Sequence, residues 1–138
     1  MRQTVKEKPM NIPQNLLYTV DHEWARVEAD GSITMGITDF AQESLGGVVY
    51  VELPSLGSAV ERGATCGQVE STKSVSELFA AATGEVVGRN DQLDSQPELV
   101  NSDPYGEGWM LRIMPSASDF TGLMDPASYA IHAAASSH

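Results

Sequence analysis

Cations and cysteine are scarce in this chain. Eight of its 138 residues are Lys or Arg against 19 Asp and Glu, which gives a formal net charge of −11. Lys6 and Lys8 fall in the first eight residues, so beyond Pro9 only Arg26, Arg62, Lys73, Arg89 and Arg112 face 18 acids. Phosphate contact needs clustered Lys and Arg that displace counterions, so the composition argues against nucleic acid. It argues against anionic membrane surfaces for the same reason. An acidic body suits partners with basic docking faces and serves plain solubility equally well. The single cysteine, Cys66, permits no intramolecular disulfide and no thiolate zinc site, and it reads as a small buried strand residue. No apolar run approaches the ~18–20 residues of a membrane span, and Met1 to Pro9 has no apolar stretch for a signal peptide. The expected location is cytoplasmic, and bacterial if the chain is complete. There is no phosphate-cradling glycine loop and no His cluster at metal-ligand spacing. His22 has no evident Ser or Cys partner and is expected to pack, or lie at the surface, beside Trp24. No catalytic residue and no metal ligand is expected, and His132 and His138 warrant no role.

What is present suits one domain with a single core. Residues 1–15 are polar and proline-punctuated and read as a flexible extension, leaving residues 16–138 as the domain. Short strands broken by turns are expected at Tyr18 to Val20, Glu23 to Val27 and Ile33 to Ile37, with Asp30-Gly31 as the tight turn. Asp39 reads as a helix cap with Gln42 three residues on, and Gly46 closes that helix after about two turns. Further strands are expected at Val48 to Leu53, Gln68 to Glu70, Val75 to Phe79, Val86-Val87 and Trp109 to Ile113. Asp125 caps a tail helix with Pro126 at its first position and an alanine-rich run behind.

An internal echo organises these elements. Gly47-Val48-Val49-Tyr50 is followed by Leu56, and 37 residues later Gly84-Glu85-Val86-Val87 is followed by Leu93. A looser echo pairs Gly67-Gln68-Val69-Glu70 with Gly108-Trp109-Met110-Leu111. Two copies are too few for a solenoid, and a closed mainly-β sandwich of two halves fits better.

Lys73 lies between the two units, in Glu70-Ser71-Thr72-Lys73-Ser74-Val75-Ser76-Glu77. Strand formers flank a cluster of hydroxyl residues that favour turns, because their oxygens bond the local backbone. Lys73 thus reads as the exposed tip of a β-hairpin, and it is the only lysine past residue 8. A Schiff-base or general-base role requires burial or a cationic neighbour, whereas Glu70 and Glu77 favour the charged form. An ordinary surface lysine and an attachment point for a tethered cofactor both remain open on these residues alone.

The segment Gly67 to Lys73, continuing through Gly84-Glu85-Val86-Val87, resembles the lipoylation site of glycine cleavage H proteins. Four other stretches resemble the same family in order and spacing: Tyr18 to Trp24, Gly36 to Gln42, Leu45 to Pro54, and Asn101 to Met110. The resemblance runs from about Leu16 to Met114. Biotin carriers have Met-Lys-Met at the tip, unlike Thr72-Lys73-Ser74, and the lipoyl domains of acyltransferases show Asp-Lys-Ala. One departure is Ala81, where the family usually has proline.

The resemblance implies a barrel-sandwich hybrid of two quasi-symmetric halves, with short helices and a C-terminal helix. It implies lipoate linked covalently to Lys73, with Glu70 and Gly57 recognised by the lipoate-attaching enzyme. Asp21, Glu23 and Glu77 would line a cleft that receives the loaded arm. It further implies a shuttle, carrying the aminomethyl group of glycine from a pyridoxal-phosphate glycine decarboxylase to a tetrahydrofolate-dependent aminomethyltransferase. Electrons would pass to dihydrolipoamide dehydrogenase, with the carrier itself performing no bond-making. Two alternatives share the motif: a lipoate relay serving other lipoyl enzymes, and an unmodified interaction module of the same fold.

Overall fold

A computed structural model describes residues 11–116 and 122–136. Two antiparallel sheets face each other. The larger contains β1 (Leu17–Tyr18), β2 (Glu23–Val27), β3 (Ile33–Ile37), β5 (Ala59–Val60), β8 (Gly84–Arg89) and β9 (Leu111–Pro115), in the order β1-β2-β3-β9-β8-β5. The smaller is β4 (Val48–Glu52), β6 (Thr65–Ser71) and β7 (Val75–Phe79), in the order β4-β6-β7. Alternation explains the layering, since residues two apart on a strand share a face. Val51, Val69 and Leu78 point inward from the small sheet to meet Ile33, Met35, Val86, Leu111 and Ile113 from the large one, all buried. Each such side chain contributes roughly 1.5–3 kcal/mol on burial. This is the mainly-β, two-sheet fold with short helices expected from the sequence.

The internal echo has a structural counterpart. β4 pairs with β6 in one sheet and β8 with β9 in the other. The leading strand of each pair carries one bulge, at Val49 between Val48 and Tyr50 and at Val87 between Val86 and Gly88. The two halves therefore kink at nearly corresponding places.

Helix α1 (Asp39–Leu45) is capped by Thr38, whose hydroxyl accepts from the Ala41 amide at 3.2 Å. The cap is thus one residue earlier than expected: Asp39 sits inside the first turn, where its carboxylate accepts from Gln42 Nε2 at 2.8 Å. Gly46 ends the helix at φ +84°, a conformation natural to glycine. Two four-residue helices, α2 (Gln92–Ser95) and α3 (Leu99–Ser102), were not expected from the sequence; they bury Leu93 and Val100. β9 starts at Leu111, two residues later than expected, because the Trp109 amide closes a turn onto Gly106 O at 3.1 Å.

Helix α4 (Pro126–Ser136) begins at Pro126, and Asp125 accepts from the Ser128 amide at 2.8 Å, as a cap should. It buries Tyr129 and Ala133, four apart on one face, in a second cluster with Leu16, Tyr18 and Trp24. The Tyr18 and Tyr129 rings stack at 4.6 Å. Of the N-terminal segment, Asn11 donates to Asp39 Oδ2 at 3.1 Å, and the Pro13 carbonyl accepts from the Tyr18 hydroxyl at 2.6 Å. Residues 1–10 and His138 lie outside the described residues.

Candidate functional site

Lys73 is the middle one of the three residues, Thr72 to Ser74, that join β6 to β7. Ser71, itself buried, organises the turn: its hydroxyl oxygen accepts from the amides of Lys73 (3.2 Å) and Ser74 (3.1 Å). The Ser71 amide donates to Ser74 O at 2.8 Å, and the Thr72 amide donates to Gly47 O at 3.1 Å. The tip is thereby tied down through its backbone while the Lys73 side chain stays exposed. Its aliphatic stem crosses Gly46, where an added Cβ would lie 3.3 Å from Lys73 Cε. Asn101 secures that neighbouring turn, accepting from the Val48 amide at 2.8 Å and donating to Gly46 O at 2.9 Å.

Beside the tip runs a cleft of about 350 Å³. It is lined by Ser74 and the start of β7 (Val75 to Glu77), by Asp21 and His22 of the turn into β2 with Glu23 at the start of that strand, and by Phe40 and Leu45 of α1. The structure thus brings the three expected cleft acids together and places Lys73 one residue from the lining. Their environments differ sharply. Glu23 is 1% exposed. It accepts from the Thr19 hydroxyl at 3.0 Å and from the Phe79 amide at 2.8 Å. Burial pushes its carboxyl up to about 8, against the opposing pull of those two hydrogen bonds, with Asp21 adding to the rise. Asp21 is exposed and also borders a second, smaller hollow with Arg62 and Gly63. Glu77 is exposed, and its carboxylate accepts from the Thr65 hydroxyl at 2.5 Å.

Glu70 is exposed and pairs with Val75 at the last register position before the turn, close to Lys73. Gly57 is elsewhere. β4 meets Ser71 through Val48 at its start, and Gly57 follows its far end, with φ +87° and its amide donating to Val86 O at 2.8 Å. Gly67 lies beside the bulge of β6, where a Cβ would strike the Glu52 carbonyl oxygen, so its role is close strand packing. Cys66 is half-buried, with its thiol pushed up to about 12 by burial and the Glu23 carboxylate, and it packs against the core. Ala81, in the place of the family proline, is buried in that core.

His22 is packed, but against Phe40 and His132 rather than Trp24. Its ring stacks on them at 4.5 and 5.0 Å, and its Nδ1 lies 2.8 Å from the Tyr129 hydroxyl. Phe40, Tyr129 and His132 are site neighbours that sequence reasoning passed over. The period of α4, with Tyr129 and Ala133 on one stripe, was the available signal that the tail had an inner face. Nothing local said what it covers. Among the described residues there is no group of three or more potential metal ligands, and no helix is long and apolar enough to cross a membrane.

An exposed lysine, the only lysine among the described residues, on a backbone-tied hairpin beside an acid-bordered cleft in a two-sheet sandwich has the architecture of a carrier. The chain belongs to the glycine cleavage H-protein family, whose model matches residues 16–135. It is 50% identical over 125 residues to a glycine cleavage system H protein of Marinobacter nauticus, covering 90% of this chain and 96% of that protein. The namesake of Anaeromyxobacter dehalogenans is 55% identical over 121 residues, covering 87% and 94%. The crystal structure of the glycine cleavage system H protein from Mycobacterium marinum superposes with a TM-score of 0.81 at 41% identity, covering 86% of this chain and 96% of that one.

Proposed function

We propose that this chain is the lipoyl carrier of a glycine cleavage system, with lipoate joined in amide linkage to Lys73. The observation that carries this reading is the placement of Lys73: exposed, held by its backbone alone, and adjacent to the mouth of a cleft. An attaching enzyme needs an accessible amine on a rigid turn, and both conditions are met. The lipoyl group supplies a dithiolane on a long arm, and the chain's residues receive and shield what it carries. Confinement near the body keeps the cargo at high effective concentration between visits to successive enzymes. Those enzymes are a glycine decarboxylase, an aminomethyltransferase and dihydrolipoamide dehydrogenase.

The cleft acids divide the work. Asp21 and Glu77 offer negative charge to a cationic amine at the rim. Glu23, with its carboxyl near 8, is largely protonated at neutral pH and serves as a buried hydrogen-bonding group. An amine cation drawn up to it favours the ionised form, so cargo docking is coupled to proton release from Glu23. Glu70, level with the turn on the solvent side, is the contact for the attaching enzyme. Gly57, beyond the far end of β4, would be read separately.

Intact-mass measurement of the chain from its native host tests the assignment. The expected result is an addition of one lipoyl group that is absent from Lys73→Arg. An unmodified native chain would overturn it in favour of an interaction module. Reconstitution with the cognate decarboxylase separates the shuttle from a lipoate relay, since only the shuttle supports glycine-dependent release of carbon dioxide.

A further inference from the structure

The tail helix contributes to the cleft through His22. This residue has φ +66°, the only positive value outside glycine among the described residues, and such a conformation persists only where surroundings hold it. Its carbonyl accepts from the Thr38 amide at 3.0 Å. Its ring is sandwiched between Phe40 of α1 and His132 of α4, nearly parallel to both at 27° and 22°. His132 is fixed in turn, for its Nε2 lies 2.8 Å from the Val20 carbonyl and must donate to it. Tyr129 Oη bridges the arrangement, 2.8 Å from His22 Nδ1 and 2.7 Å from Thr38 Oγ1, which itself accepts the Ala41 amide. Nδ1 is thus engaged and the ring is stacked on Phe40 and His132, which leaves Nε2 as the ring nitrogen available to a ligand, and His22 lines the cleft with Asp21 and Glu23.

Two neutral arrangements satisfy these contacts. With Thr38 donating to Tyr129 and Tyr129 donating to His22 Nδ1, the Nε2 atom carries the proton and is a donor. With the direction reversed, His22 Nδ1 donates to Tyr129, Tyr129 donates to Thr38, and Nε2 is bare and accepts. A primary ammonium presents only donors, so it selects the second arrangement. We infer that His22 Nε2 receives the amine of the cargo in the cleft, and that Tyr129, Thr38 and His132 are positioning residues that hold the ring and set its tautomer. This rests on the carrier reading above and assigns the tail helix a part in it.

Charge agrees with the geometry. Burial holds the His22 imidazole below its usual range and so keeps it neutral; His132 acts in the same direction, and Asp21 opposes both. The other groups around it are Tyr129 of α4, Glu23 next to it at the start of β2, and Glu77 across the cleft, while α1 presents the uncharged Phe40. Protonation would place an imidazolium beside an ammonium and expel the cargo.

Nitrogen-15 spectra of the unmodified chain report the His22 tautomer and its titration. The lipoylated, aminomethyl-loaded chain reports cargo release against pH. Release is expected to accelerate as pH falls through the His22 midpoint. In Tyr129→Phe, which removes only the hydroxyl, the bare-Nε2 tautomer loses its support, and release at neutral pH should rise about tenfold. In His132→Phe, which keeps a ring in the stack, the His22 midpoint should move up and the release curve should move with it. Release that is unchanged in Tyr129→Phe, or a curve that ignores the displaced midpoint in His132→Phe, overturns the inference. A chain that accepts no lipoyl group on Lys73 overturns the carrier reading and this inference together. A loaded chain indifferent to His22 overturns this inference alone.

Discussion

The two ends of the cleft are built on opposite principles. At the Lys73 end the backbone is fixed and the side chain is free: Ser71 and Gly47 hold the turn, and glycine at position 46 leaves room for the lysine stem. At the His22 end the side chains are fixed: the imidazole is stacked on both faces, and Glu23 is buried with both carboxyl oxygens engaged. A tether needs conformational freedom in its arm and none at its root, whereas a receiving surface must be organised before anything arrives. The contrast also extends to charge, since the Lys73 side chain is exposed whereas Glu23 is buried deeply enough to hold its carboxyl near 8.

The largest effect is expected at Glu23. Truncation to Ala leaves the Phe79 amide and the Thr19 hydroxyl without their acceptor in a buried place and opens a small void. A loss of about 2–4 kcal/mol is expected in denaturant unfolding, with faster loss of cargo from the loaded chain. Glu23→Gln keeps the shape and removes the ionisation. The folded-state value of about 8 lies above the ordinary 4.5, so the folded chain binds this proton more tightly than the unfolded one. The stabilisation from the protonated form is complete below about pH 4.5 and is lost progressively as pH rises towards 8. Stability measured from pH 4 to 9 should show that decline in the wild type and a flatter profile in Glu23→Gln; equal slopes would refute a raised carboxyl.

A smaller effect is expected at the anchor's neighbour. Gly46→Ala forces a side chain into φ +84° and brings a methyl within 3.3 Å of the Lys73 stem. It should cost about 1 kcal/mol and slow modification of Lys73, measured by intact mass over time. The smallest is at Lys73 itself. Lys73→Ala should change stability by no more than about 0.5 kcal/mol, because its side chain is exposed and makes no ion pair among the described residues. A large loss there would show that the side chain is structural and that the two ends of the cleft are less different than described.

Much of this was legible in the residues. The strands from Glu23 to Val27 and Ile33 to Ile37 follow from alternation and the Asp30-Gly31 turn, and both have the expected bounds. The two-unit echo anticipated a sandwich of two similar halves, though not the bulge that each half carries, and the hydroxyl-rich Ser71-Thr72-Lys73-Ser74 stretch anticipated a turn. Boundaries were harder where a local contest had to be decided. Thr38 and Asp39 are both good caps, and the contest goes to Thr38 because its oxygen reaches the Ala41 amide while Asp39 binds Gln42 and Asn11. The short helices α2 and α3 have no periodicity to show, since one turn each buries a single apolar residue.

Residues close along the chain were enough to show a mainly β fold, a lysine at a turn with no other lysine past residue 8, and acids on either side of it. These follow from side-chain period, turn chemistry and composition, which are properties of neighbours along the chain. Which acids meet the cleft was set by tertiary structure, as were the burial of Glu23 with its carboxyl held well above the ordinary range, the exposure of Asp21, and the stacking of His132, 110 positions away, on His22. Desolvation, tautomer and stacking depend on what packs around a group in space, and no spacing along the chain encodes them.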